Sequence, residues 1–369
     1  MSQPNQLLSR AECSVLRGLA IIGIVLHNYC HWLGPIVKEN EYQFFRMNVD
    51  GLTRALTHPD LNLPLHLLSF FGHYGVPIFL FLSAYGLVRK YESPLPATTD
   101  HTRNASPATN WRETLGFLRR HFLKLFRMMI VGFVAFTMLD AITPGPHHYR
   151  LLDIVAQLGL FNNLLPHPDR IIWPGPYWFF GLMLQLYIVY RLLLYRNSRL
   201  TVALIVLCLV PQLFMDPEGE TLNRYRYNFM GGMLPFGLGL LYARHGQLVG
   251  RWRRLTSPGQ WHGLVTVVSA VLVFMCSCHF YLWALVPAFV CTVCIGLVKL
   301  ISQTAWLMRP LDWIGALSAA LFVCHPITRK IFIPLSRQGD VYAGLLLYVV
   351  ASICLAWLFR ELMHRVPKP

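Results

Sequence analysis

Ten apolar stretches, each close to the length of a bilayer crossing, leave this chain little freedom in what it can fold into. They lie at about 15–34, 65–88, 121–142, 177–196, 200–215, 228–244, 262–281, 282–300, 312–333 and 341–361. A helix rises about 1.5 Å per residue, so about 20 apolar residues cross a hydrocarbon core about 30 Å thick. Within that core every backbone amide needs an internal partner, which a helix supplies. The expected fold is therefore all-α, a polytopic membrane helix bundle of about ten transmembrane helices forming one domain over 1–369. Composition agrees: the chain is 55% hydrophobic and 13% charged, with a mean hydropathy of +0.45, whereas a soluble domain carries about 25% charged residues. The stretch 151–165 is apolar but short, and Asn162, Asn163 and Pro166 mark it as re-entrant or interfacial, not an eleventh span. The polar stretches 36–64 and 89–118 are too short and too poor in apolar periodicity to hold a core of their own.

The formal net charge of +15 would point to nucleic acid in a soluble protein. Here the lysines and arginines occupy short runs between apolar segments, so no nucleic-acid partner is expected, and the positive-inside rule accounts for them. The region from Arg89 to Lys124, the group Arg244, Arg251, Arg253 and Arg254, and the group Arg360, Arg365 and Lys368 all fall on one side of a ten-span topology. Both termini are accordingly expected in the cytoplasm. The first fifteen residues are mostly polar, and no small-residue cleavage site follows the first apolar stretch, so no cleavable signal peptide is expected. Most of the nine cysteines sit in apolar runs, where a thiol acts as a small hydrophobe. Cys291 and Cys294 have a metal-like spacing but no second pair nearby, and no metal site is expected.

Chemistry enters with the first segment, which runs from Leu16 and Arg17 through Gly18, Leu19 and Ala20 to His27, His31 and Trp32. His27 lies about 15 Å along a helix from Arg17, which places it near mid-membrane. An ionisable group at that depth is a functional hypothesis in itself, and an imidazole can take a proton from a hydroxyl near neutral pH. His31 shares the face of His27 and sits beside Trp32 as an interfacial residue. Arg120, Lys124 and Arg127 share one face at the start of the third span. They read either as a topogenic belt or as a site for a phosphorylated ligand. Small residues from Gly75 to Ala84 would permit close helix packing, Gln185 is a polar group in the fourth span, and His325 precedes Pro326 in the ninth. Two classes follow from intramembrane histidines: an enzyme with a histidine base, or a proton-linked transporter or flippase. No acidic residue near the centre of a span and no inverted repeat favour the enzyme.

Five segments in order resemble acyltransferase family 3, the bacterial inner-membrane O-acyltransferases. They are Arg17-Gly18-Leu19-Ala20 with His27, Gly75-Val76 with Leu82-Ser83, the basic entry around Arg120, Trp178-Phe179 with Gln185-Leu186-Tyr187, and Trp313-Ile314-Gly315 with His325-Pro326. The resemblance implies an enzyme of the cell inner membrane. It would take an acyl group, usually acetyl, from acyl-CoA in the cytoplasm to a hydroxyl of a cell-surface glycan or lipid-linked saccharide. Acyl-CoA is then a donor substrate, no cofactor is bound, and the partners are donor, glycan or glycolipid acceptor and bilayer. His27 matches the family's histidine, as base or transient acyl carrier. Arg17, Arg120, His121 and Lys124 match its basic positions, which would hold the donor phosphates, and Ser83, Tyr85, Gln185 and His325 are candidates to line the cavity. The chain departs from the pattern twice. His121 stands where the family has an arginine, and Arg17 and His27 are ten positions apart where the family has eleven. In a regular helix that interval turns the two side chains about 80° apart, so either a bulge restores the face or His27 has another partner.

Overall fold

The computed structural model describes residues 7–92, 111–171, 173–252 and 258–366; Arg253, Arg254, Lys368 and most of the polar stretch 89–118 lie outside these. The first four helices are α1 (Arg10–Cys30), α2 (Arg46–Thr57), α3 (Leu63–Phe71) and, after a tight turn at Gly72–Tyr74, α4 (Gly75–Tyr91). Next come α5 (Trp111–Ile142), α6 (Leu151–Leu158), α7 (Pro168–Ile171), α8 (Trp178–Val189), α9 (Ser198–Leu209), α10 (Glu220–Tyr227) and α11 (Phe229–Trp252). The last five are α12 (Pro258–Ser277), α13 (Phe280–Trp283), α14 (Val286–Ile301), α15 (Ala305–Gln338) and α16 (Val341–Arg365). No strand occurs among the described residues. Each of the ten expected segments falls on a helix, and among the described residues six helical stretches are long and apolar enough to cross a membrane by themselves. These are Arg10–Cys30, Leu63–Tyr91, Trp111–Ile142, Gly259–Ser277, Ala305–Gln338 and Val341–Arg365. The chain is a multi-pass membrane protein.

The first helix begins earlier than its apolar run because a capping box starts it. Ser9 Oγ accepts from the Glu12 amide at 3.1 Å, and Glu12 Oε2 accepts from the Ser9 amide at 2.7 Å. With its start at Arg10 and its end at Cys30, α1 carries His27 in its last turn and not at its midpoint. The second segment, expected as one helix, is broken at Gly72–Tyr74, where Gly72 packs on the backbone of Gly23 in α1. The stretch 151–165 does not span; it packs inward through polar groups, with Asn163 Nδ2 donating to the carbonyls of Trp178 at 2.9 Å and Tyr227 at 2.6 Å.

α1 and α15 lie side by side and parallel. Ser14 Oγ donates to Asp312 O at 3.2 Å, Tyr29 Oη to Phe332 O at 2.9 Å, and Arg337 to Trp32 O at 2.8 Å, so the numbers rise together along both helices. Glycines allow this approach: a methyl on Gly18 would overlap Leu311 O, and one on Gly315 would overlap Ser14 O. Buried ionic groups near the helix ends are paired, as with Glu92 and Arg244 at 2.7 Å, Glu12 and Lys299 at 2.7 Å, and Asp140 and Lys330. The two chain ends share one face of the bundle, since Tyr85 in the last half of α4 bonds the Leu8 backbone while Arg127 donates to Met363 O.

Gly315→Ala should lower the unfolding temperature in detergent, because overpacking a close contact costs about 1–3 kcal/mol. Gly86→Ala should leave it unchanged or raise it, because a Cβ at Gly86 meets nothing within 4 Å and alanine gains about 1 kcal/mol of helix propensity over glycine. A thermal unfolding series of the two variants checks the contrast.

Candidate functional site

The end of α3 positions His27. A helix leaves its last carbonyls without intrahelical donors, and Ser69 is in the final turn of α3. Its carbonyl oxygen lies 2.7 Å from His27 Nδ1. A carbonyl can only accept, so Nδ1 carries the hydrogen, and in the neutral imidazole Nε2 holds the free lone pair. The Ser69 hydroxyl donates to Val37 O at 2.6 Å, and the Val37 amide donates to His66 Nδ1 at 3.0 Å, which pins the loop after α1 against α3. That loop brings Glu39 over the histidines. Glu39 Oε1 is 3.0 Å from His31 Nδ1 and 3.8 Å from His27 Nε2. Gly72 lies directly beneath, where a Cβ would come within 2.6 Å of His27 Cβ. His73, from the same turn, puts its ring 5.5 Å from that of His27.

These side chains line a cavity of about 330 Å³. The polar lining includes His27, Asn28, His31, Glu39, His73 and Arg329, and Trp32, Tyr42, Trp173, Trp178 and Tyr227 provide aromatic faces. Burial by itself raises the Glu39 carboxyl. The facing imidazoles of His27 and His31, the hydrogen bond from His31 and the nearness of His73 outweigh it and hold the group below the ordinary carboxylate range. Glu39 is thus an anion facing the free nitrogen of His27. His27, His31 and Glu39 also offer one ligand atom each within 4.8 Å of one another, a two-imidazole, one-carboxylate set of the type that holds a divalent transition metal. Two of those atoms, on His31 and Glu39, are already hydrogen-bonded to each other. No metal was expected from the sequence.

The interval between Arg17 and His27 has a plain outcome. α1 is regular from Arg10 to Cys30, with no bulge. Arg17 is exposed on another face, while His27 is 2% exposed in the bundle. The partner of His27 is Glu39, from the loop. Arg17 instead lies within electrostatic range of Lys124, together with Lys90, and His121 lies within range of Lys124, Lys90 and Arg120. Four of the predicted residues, Arg17, Arg120, His121 and Lys124, therefore gather at the face that carries the chain ends. Among the described residues no carboxylate is in ion-pair distance of the four cations Arg17, Lys90, Arg120 and Lys124.

None of Ser83, Tyr85, Gln185 and His325 lines the cavity. Ser83 Oγ pairs with Tyr187 Oη at 3.0 Å, and the Tyr187 ring packs at a tilt against His121 at 4.3 Å, so Ser83 belongs to a polar line leading in from the basic face. Tyr85 holds the Leu8 backbone, and Gln185 bonds Asn228 at 2.8 Å and the Phe229 amide at 2.8 Å. His325 is buried with Nδ1 3.0 Å from Leu321 O and its ring 6.2 Å from that of Phe322, which does line the cavity. Sequence reasoning missed Glu39, His73, Lys90 and Arg329. A charged residue four positions after His325, on one helix face with it, was the available signal for Arg329.

The acyltransferase-3 family model, described as an acyltransferase domain, matches residues 11–361. The chain belongs to this family and is a membrane acyltransferase. No curated protein and no solved structure matches it.

Gly72→Ala should reduce acyl transfer at least tenfold in protein that still inserts and elutes as a single species, because the added methyl displaces His27 from the Ser69 carbonyl. Transfer assays on the purified variant, beside Gly86→Ala as a control, measure this.

Proposed function

We propose that the protein moves an acyl group, in the first instance acetyl, from acyl-CoA to a hydroxyl of a cell-surface glycan or lipid-linked saccharide, with His27 as general base. The observation that carries this reading is the bond from His27 Nδ1 to Ser69 O, which leaves Nε2 free in a cavity with Glu39 3.8 Å away. An acceptor hydroxyl attacks the thioester carbonyl as Nε2 takes its proton. The tetrahedral intermediate then expels the thiolate, which takes the proton back from the imidazolium. The Glu39 carboxylate stabilises the imidazolium between these steps. A positioned base of this kind contributes about a hundred- to ten-thousand-fold.

The donor would enter from the face that carries Arg17, Lys90, Arg120 and Lys124, whose charges suit the phosphates of coenzyme A. His121 flanks this group and supplies a ring without a guarantee of charge. From Arg17 to the level of His27 is about 15 Å along the helix, an interval for the pantetheine arm to cover past the line of His121, Tyr187 and Ser83. In this reading the basic face is cytoplasmic in the inner membrane, both termini lie there, and the aromatic cavity opens toward the outer side for polysaccharide modification.

His27→Ala should lower acyl transfer by two or more orders of magnitude, and Glu39→Gln by roughly ten- to a hundredfold, about 1.4 kcal/mol per factor of ten. Purified protein with labelled acetyl-CoA gives both numbers; full transfer by folded His27→Ala would overturn the assignment. In the same assay, Arg17→Ala and Lys124→Ala should each raise the KM for acetyl-CoA roughly tenfold, which is in the range of a charge-assisted contact, with kcat little changed.

A further inference from the structure

Arg329 is 6% exposed, and it lines the same cavity as His27. Its guanidinium has five N–H donors, yet among the described residues its one hydrogen bond is from Nη1 to Asn28 Oδ1 at 3.2 Å. Among the described residues no carboxylate is within ion-pair distance of it, although Glu39 and Glu41 line the same cavity; Glu39 is bonded to His31 instead. The neighbouring cations of α15 are engaged, Lys330 with Asp140 and Arg337 with Trp32 O. A buried cation without a counter-charge costs several kcal/mol, and such residues in membrane segments mark ligand sites.

The surroundings hold the guanidinium in place at the cavity wall. Asn28 is itself fixed by a bond from Nδ2 to Ile24 O at 3.0 Å, which aims its oxygen at Arg329. The Trp32 ring lies 5.1 Å from the guanidinium carbon. Gly175, at φ +84°, also lines the cavity, and a Cβ there would just touch Nη2 at 3.9 Å, so a glycine leaves room beside the fork. A planar fork fixed in this way matches a carboxylate or phosphate through two parallel hydrogen bonds. Arg329 is level with Asn28 and Trp32 at the end of α1, whereas Arg17 and Lys124 are near the opposite end. The anion it awaits therefore belongs to the acceptor and not to the donor.

We infer that Arg329 is the anion-binding subsite of the acceptor cavity, and that the acceptor is an anionic saccharide carrying a carboxylate or phosphate. Trp32 and Trp173 supply the apolar faces on which a sugar ring packs. This inference rests on the cavity being the acceptor site of the acyl transfer proposed above.

Sugar binding without any acyl donor tests it, because no reacting carbonyl is then present. Purified full-length protein is titrated with methyl glucuronide, glucose 1-phosphate and methyl glucoside, followed by tryptophan fluorescence and calorimetry. At least one anionic sugar should bind ten or more times more tightly than the neutral one. Arg329→Gln should erase that preference, and Arg329→Lys, which keeps the charge but not the fork, should keep only part of it. If wild-type protein binds neither anionic sugar, or binds all three equally, the proposal is overturned without recourse to any variant. A preference that survives in Arg329→Gln overturns it too. The identity of the anion follows from which of the two anionic sugars binds. Failure of the acyl-transfer reading is a separate result, seen as full transfer activity in His27→Ala.

Discussion

The bond between His27 Nδ1 and the Ser69 carbonyl organises the half of the molecule that carries the cavity. It joins the last turn of α1 to the last turn of α3 and satisfies a helix-end acceptor that would otherwise be buried without a donor. The same residue, through its hydroxyl, holds the loop that delivers Glu39. Removing the imidazole would therefore strip that acceptor of its donor as well as a ring nitrogen from the cavity. Gly72, in the break at Gly72–Tyr74, serves this arrangement, because a side chain there could not approach Gly23 and His27 so closely.

Around that bond the protein separates two kinds of charge. The cations of the basic face are exposed and have no carboxylate partners among the described residues, so they are available to a mobile polyanion at little cost in desolvation. The cavity charges are buried and held by specific bonds: Glu39 to His31, Arg329 to Asn28. Burial makes electrostatic interactions there stronger and unpaired groups dearer. In the proposed reaction a donor held at one end and an acceptor held at the other would meet at His27, and the intervening line of His121, Tyr187 and Ser83 consists of groups that pack or bond with one another.

Much of the architecture was legible in the chain because bilayer physics is read locally. Twenty apolar residues make a span wherever they occur, and the ten expected segments each fall on a helix. The short stretch at 151–165 was recognisable from its asparagines, which find partners inside the bundle, Asn163 on backbone carbonyls and Asn162 on Gln157. The gathering of Arg17, Arg120, His121 and Lys124 at one end follows from helix direction, since each lies near the same end of its span. The cavity was not legible in the same way. Ser83, Tyr85 and Gln185 are polar residues in apolar helices, but each is satisfied by a neighbour away from His27. Glu39 sits in a polar stretch that looked like solvent-exposed loop, because nothing local shows that His66 and Ser69 fold it back.

The sequence by itself determined that this is a multi-pass helical membrane protein of an acyltransferase family, with a histidine in its first helix and a basic side. Those properties depend on composition, periodicity and ordered motifs, all of which act over one segment at a time. Only the tertiary structure decided which nitrogen of His27 is free, that Arg17 is not its partner, and that Glu39 and Arg329 face the same cavity. Helix crossing, a loop fold-back and the parallel packing of α1 on α15 bring together residues as far apart as Asn28 and Arg329. No local pattern encodes such distances, because they are set by how side chains of separate helices fit against each other.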